Sequence, residues 1–450
     1  MAPSVAQEPP VSWPTQVQSK SAPPSGPPRN IGPIDALRFP SHLQPERYEI
    51  QGTHPESKIL FTDVNIIDST GREPYHGDVL IEGERIVEVG RVSNKEDHLK
   101  DPKARVFNGR GRTLMSGLGD AHAHFSWNGT DLARLGELEV EEHVLLTMRG
   151  ARCFLDSGYT MAFGAAAAKK RLDIAIRNAI NAGDVPGPRY LANAQEVCRR
   201  DGDLVATISA FADGPDEMRE VVRQHVAAGV DNVKLRMRML EEKKTRMVVA
   251  PAINWLVATL NDAAAFGYPQ EQAEKVGYRK ELDAAVAALR EMHRRGIVVL
   301  PGGDYGFAVS SGCLIVASLL VANGYLQWTP HGTYARDLEH FVRLLGFTEH
   351  EALIAATSGV AKLFMRENEL GKILPGYYAD CILVDGNPLE DISVLQDHDK
   401  LNIIVMNGRV HKAGRREYVR DLTAMPVITK NGIAEVVEFP EVKRAMQQSC

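Results

Sequence analysis

The chain has 450 residues, 44% hydrophobic and 24% charged, with a formal net charge of -6. This is the composition of an ordinary globular chain, long enough for one large domain or two to three smaller ones. The slight acidity leaves no basic footprint for nucleic acid or an anionic membrane surface. Five scattered cysteines, Cys153, Cys198, Cys313, Cys381 and Cys450, form no Cys-x-x-Cys pair, which argues against a disulfide framework or structural zinc and for a reducing, cytoplasmic setting.

Residues 1–50 are rich in proline and serine, with no basic-then-apolar secretory pattern, and are expected to be a disordered tail. Short apolar strands follow, Lys58 to Asp68, Asp78 to Arg85 and Ile86 to Gly90, with turn residues between them. A matching set, Ala379 to Val384 and Leu401 to Val410, lies near the other end. Residues 55–110 and 370–415 are therefore expected to form one small β-sandwich built from both chain ends, followed by a C-terminal extension, 416–450.

The centre, 111–369, alternates strand and helix. Strands are predicted at Thr113–Leu118, Tyr159–Phe163, Arg189–Asn193, Asn232–Leu235, Met247–Ala250 and Ile297–Leu300, and helices at Leu172–Ala182, Pro215–Ala228 and Lys280–Arg295. Repeated βα units point to a parallel sheet, and a TIM-type (β/α)8 barrel is its natural closure. About six strands are present where a closed barrel needs eight, and the shortfall lies between Lys234 and Met247. The apolar stretch Cys313–Leu326 is well short of the roughly 20 residues that span a membrane.

The run Gly119-Asp120-Ala121-His122-Ala123-His124 ends the first central strand. Side chains alternate along a strand, so His122 and His124 share a face, and neutral imidazole is a common zinc ligand. Such pairs also arise by chance on loops. Asp304, after Pro301-Gly302-Gly303, can take a proton from water and pass it to a leaving amine. Taken singly, Asp304 reads as a turn aspartate and Lys234 as a solvated strand-end lysine. Their order, at equivalent ends of a βα series, is what points to a site.

These motifs, with the tail Leu374-Pro375-Gly376-Tyr377-Tyr378-Ala379-Asp380-Cys381-Ile382-Leu383-Val384-Asp385-Gly386-Asn387-Pro388-Leu389, resemble the metal-dependent amidohydrolases of the imidazolonepropionase, aryldialkylphosphatase and prolidase-like group. The resemblance spans about residues 55 to 415. It implies a hydrolase of C–N bonds in a small-molecule amide, acting through a metal-activated water, with no nucleic-acid or membrane partner and compatible with a homo-oligomer. It further implies one or two divalent metals such as zinc, with His122 and His124 on the more buried one, a carboxylated Lys234 bridging two, and Asp304 as both ligand and acid/base. Burial depresses a lysine pKa, leaving the neutral amine that captures carbon dioxide.

The family's metal-binding histidines after strands five and six have no counterpart here. His293 sits at the polar end of a helix, at the wrong end of a barrel, and reads as a solvated residue. Metal catalysis on His122, His124 and Asp304 remains open, because some zinc enzymes use three protein ligands. The alternative is a catalytically impaired homologue or the product of a mis-spliced gene model. Phe125, Trp127, Tyr305 and Phe307 are candidates to line an aromatic pocket or simply to pack. Arg199-Arg200-Asp201-Gly202-Asp203 could meet an anion but reads more simply as a solvated turn.

A second departure is Val309–Gln327, an apolar, uncharged interruption of family-like sequence. In an active-site loop it would be an unusual exposed patch. Valine codons begin with GT and glutamine can be written CAG, so the segment can start and end as an intron does. Full-length transcript sequencing is expected to lack it and to restore about 50 to 70 residues after Met237, two βα units. Transcripts that reproduce the chain as printed contradict this and favour the non-catalytic alternative.

Overall fold

A computed structural model describes residues 58–127, 135–200, 206–235, 248–266, 268–306 and 329–413, with two short strands, Pro426–Ile428 and Ala434–Val436. The N-terminal tail, the region of the strand deficit after Met237, the Val309–Gln327 segment and Phe307 lie outside the described residues.

Strand β1 (Lys58–Ile67) pairs antiparallel with β2 (Tyr75–Glu82), which returns into β3 (Arg85–Gly90). After a short helix, α1 (Lys95–Lys100), β4 (Ala104–Asn108) runs parallel to the first half of β1, and β5 (Thr113–Ser116) runs parallel to its end. At Gly117 the chain leaves this sheet. Gly117 N–H donates to the Asp380 carbonyl at 3.0 Å, and Leu118 N–H to that of Gly158 at 2.9 Å. The run Thr113–Leu118, expected as one barrel strand, is therefore two half-strands in different sheets. An apolar run reports burial; it does not name the partner.

The parallel series begins with β6 (Leu118–Ala123). Helix α2 (Val140–Asp156) leads to β7 (Tyr159–Gly164), and α3 (Leu172–Asn181) to β8 (Arg189–Leu191), giving a three-stranded parallel sheet in the order β6-β7-β8. Strands β9 (Glu196–Cys198) and β10 (Ser209–Phe211) form a parallel pair. Helix α4 (Pro215–Ala228) has proline in its first turn and ends at Gly229 with φ 96°, the start and stop signals its sequence carries. The strand expected at Asn232–Leu235 is reduced to a single parallel bridge, Val197 to Leu235. Strand β11 (Val248–Val249) is followed by α5 (Ile253–Asn261), α6 (Gln270–Val276) and α7 (Tyr278–Arg294), and pairs in parallel with β12 (Val298–Val299). Ala121 N–H donates to the Pro301 carbonyl at 2.8 Å, joining the end of β12 to β6. The result is a mixed α/β arc of parallel strands. Among the described residues no ladder joins Asn232–Leu235 to β11.

Helices α8 (Arg336–Arg343) and α9 (Glu349–Ile354) lead back to the first sheet. Strands β13 (Cys381–Val384), β14 (Leu401–Met406) and β15 (Arg409–Ala413) complete it. The sheet has eight strands in the order β15-β14-β13-β5-β1-β2-β3, with β4 also on β1. It is one continuous sheet from both chain ends, where two stacked sheets were expected. Its central strands β5, β13 and β14 are buried on both faces. Met115, Ile382, Val384 and Ile404 pack towards the parallel arc, while the alternate residues Leu114, Leu383, Ile403 and Val405 share a second core with Phe61, Val79 and Ile86. Among the described residues no helix is long and apolar enough to cross a membrane.

Asp380 joins the two parts. Its carboxylate accepts from Arg189 Nε of β8 at 2.8 Å and from Asn407 N–H at 2.8 Å, with side-chain exposures of 4% for Asp380 and 14% for Arg189. Removing one partner of such a pair strands the other charge. Asp380→Ala is expected to lower the unfolding free energy by about 3–5 kcal/mol, measured by denaturant titration; a loss below about 1 kcal/mol, the worth of an exposed pair, contradicts the assignment.

Asp337, in the first turn of α8, accepts the Gly302 N–H at 2.8 Å and so positions the segment after β12. Burial pushes its carboxyl up to about 8; the Gly302 hydrogen bond opposes this and the nearby Asp120 adds to it. An unfolded aspartate ionises near pH 4. Between these values the folded chain holds a proton that the unfolded chain releases, so stability falls as pH rises from about 4 to about 8. Asp337→Asn is expected to flatten that decline, read as unfolding free energy from pH 5 to 8. An unchanged slope contradicts the prediction.

Candidate metal centre

Strand β6 delivers His122 just before its end and His124 one residue past it, with ring centroids 5.2 Å apart. The segment after β12 delivers Asp304. Gly302 lets these strands approach, because a Cβ there would stand 2.7 Å from the His122 Cβ. Asp304 has φ 59°, a left-handed conformation that aspartate tolerates better than most residues. Its Oδ1 lies 3.0 Å from His124 Nε2 and 3.5 Å from His122 Nε2. The ligand atoms of the three residues all lie within 4.8 Å of one another, and among the described residues this is the one group of His, Cys, Asp or Glu so disposed.

The protonation pattern follows from the surroundings. His124 Nδ1 lies 2.9 Å from the Ala166 carbonyl. A carbonyl only accepts, so Nδ1 carries a proton, and in the neutral ring Nε2 is then the acceptor. His124 Nε2 faces the buried Asp304 Oδ1. At 3.0 Å the two atoms are held together either by a proton on Nε2 or by a metal cation that both bind. Burial lowers the His122 pKa to about 3, with Asp304 opposing and Lys234 and His124 assisting, so His122 is neutral. Burial alone would raise the Asp304 pKa; His122, the hydrogen bond and field of His124, and Lys234 outweigh it and hold the carboxyl below its usual value. His122 and Asp304 are thus in the form a metal needs. Two imidazoles and a carboxylate fit a zinc-type ion.

Lys234 is not in a strand, but Val197 N–H donates to its carbonyl at 3.0 Å, and its Nζ lies 3.4 Å from His122 Nε2. It faces the same cluster from its edge. His293 lies apart from it, stacked on Phe347 with centroids 3.7 Å apart and 3.7 Å from a Glu351 oxygen.

Several supporting contacts escaped the sequence reading. Asp120 accepts the His122 N–H at 2.7 Å. Trp127, considered above for a pocket, stacks on the His124 ring with centroids 3.3 Å apart. His331 hydrogen-bonds the Trp127 carbonyl through Nε2 and the Tyr334 hydroxyl through Nδ1. A local signal existed only for Asp120, inside the histidine motif. The others depend on contacts across the fold. Phe125 and Tyr305 are core residues: Phe125 stacks on Tyr190 at 3.9 Å, and the Tyr305 hydroxyl donates to the Tyr334 carbonyl at 3.2 Å. Arg200 is exposed and paired with Asp213 and Glu217, as a solvated turn residue would be.

Residues 240–411 match the amidohydrolase family model. A stretch of 137 residues is 30% identical to the ochratoxinase of Aspergillus niger, covering 30% of this chain and 25% of that protein; the chain thus matches a quarter of the length of this relative. The fold is similar to that of a Xaa-Pro dipeptidase solved with methionine in its active site (TM-score 0.62, 19% identity, covering 79% of this chain and 100% of that one). It is likewise similar to the structure of A. niger ochratoxinase (TM-score 0.60, 18% identity, 79% and 96%). At these identities the structural likeness establishes the fold. The match to the amidohydrolase family model is thus confined to residues 240–411, and the rest of the chain shares the fold of these solved structures.

Proposed function

We propose that the chain is a metal-dependent amidohydrolase that cleaves the C–N bond of a small amide or peptide-like substrate, using one divalent cation, zinc, held by His122, His124 and Asp304. The observation that carries this reading is the convergence of His122, His124 and Asp304, with the buried His124 Nε2 3.0 Å from the Asp304 carboxylate. The amidohydrolase domain and the likeness to a dipeptidase and an ochratoxinase support the choice of reaction. We read the parallel arc as a (β/α)8 barrel lacking about two βα units, which also accounts for the missing second pair of histidines. A three-ligand site suffices for zinc catalysis.

Zinc bound there supplies Lewis acidity to a carbonyl oxygen and lowers the pKa of water to about 7. The chain's residues do the rest. The Ala166 carbonyl fixes the His124 tautomer, and Asp120 braces the strand at His122. As water adds to the amide carbon, its proton passes to the Asp304 carboxylate. Asp304 then delivers that proton to the leaving nitrogen as the C–N bond breaks, giving a carboxylic acid and an amine. Lys234 faces this cavity, and its carboxylated form would add an oxygen donor at the edge of the site.

His122→Ala is expected to abolish both bound zinc, by elemental analysis, and hydrolysis. Undiminished zinc in that variant would refute the ligand assignment. His293→Ala is expected to keep its full zinc content, and loss of the metal would show that His293 had been wrongly set aside.

A further inference from the structure

A cavity of about 300 Å³ opens beside Asp304, lined among others by Ile253, Trp255 and Leu256 of α5 and by Ala285 and Leu289 of α7. Among the described residues, every lining residue other than Asp304 is uncharged and, the indole nitrogen aside, apolar. Trp255 is held in place by an edge-on contact with Tyr278, with centroids 5.3 Å apart. Water is a poor occupant of the cavity, because a water molecule needs several polar partners. The walls suit an apolar group, and about 150 Å³ already admits a benzene ring.

We propose that this cavity is the pocket for the leaving amine, taking an uncharged aliphatic chain or a single aromatic ring carried on the nitrogen of the scissile amide. The proposal rests on the hydrolase reading above. In that reading Asp304 hands its proton to the leaving nitrogen, so the nitrogen must reach Asp304. The substituent on that nitrogen then lies at the cavity mouth. A cationic substituent would lose its hydration among Ile253, Leu256 and Leu289 without gaining a partner. An anionic one would meet the Asp304 carboxylate at the entrance.

The test holds the acyl group constant and varies the amine. N-methyl-, N-butyl-, N-benzyl- and N-(2-aminoethyl)acetamide are offered to the zinc-loaded protein. The benzyl and butyl amides are expected to exceed the methyl amide in kcat/KM by about tenfold or more, with the cationic amide poorest. Ala285→Phe, which fills the cavity, is expected to bring the benzyl-to-methyl ratio towards one, with its unfolding midpoint confirming that it folds. Calorimetry gives a readout independent of turnover: N-benzylacetamide should bind the unmodified protein and lose that binding in Ala285→Phe. Equal rates for methyl and benzyl amides, or a benzyl preference undiminished in Ala285→Phe, overturn the proposal. Benzyl binding that Ala285→Phe abolishes, with no acetamide hydrolysed, instead overturns the hydrolase reading and leaves the cavity as an apolar ligand site.

Discussion

The Ala121 N–H to Pro301 carbonyl hydrogen bond holds β6 and the segment after β12 side by side. Gly302 makes the approach close enough, because any side chain there would strike His122. Through this contact a histidine pair and an aspartate more than 170 residues apart in sequence share one buried point. The chain thereby places His124 Nε2 and Asp304 Oδ1 against each other where little water can separate them, an arrangement that a shared cation stabilises.

The surrounding contacts hold the ligands in that arrangement. The Ala166 carbonyl fixes the His124 ring from one side and Trp127 covers its face, while His331 holds the Trp127 backbone. Asp120 and Asp337 receive the backbone N–H groups of His122 and Gly302, one on each of the two segments that meet. The ordering of these side chains is completed on folding, so little of it remains for the moment of binding. The terminal sheet supports the arrangement from below through Asp380, which ties β8 to the β14–β15 turn.

Sequence pattern carried the order of strands and helices well and their partners poorly. Tyr159–Gly164 and Pro215–Ala228 fall where alternation and capping signals put them. Thr113–Leu118 was misread because hydrophobicity is the same on either side of Gly117, while the hydrogen-bond partners change. Strand β4 was overlooked beside the Pro102-Lys103 turn, and β9 and β10 are too short for periodicity to show. The sequence order of His122, His124, Lys234 and Asp304 along a βα series is what singled them out, and the structure places them near one another. Trp127, His331 and Asp337 had no such signal, because their roles exist only in three dimensions. Phe125 and Tyr305 show the converse: aromatic residues near strand ends whose surroundings make them core.

The most direct test of the central claim is anomalous diffraction at the zinc absorption edge from crystals of the protein grown with zinc. The account predicts one strong peak within bonding distance of His122 Nε2, His124 Nε2 and an Asp304 carboxylate oxygen. A peak elsewhere, such as between His293 and Glu351, or no peak at this cluster, would contradict it.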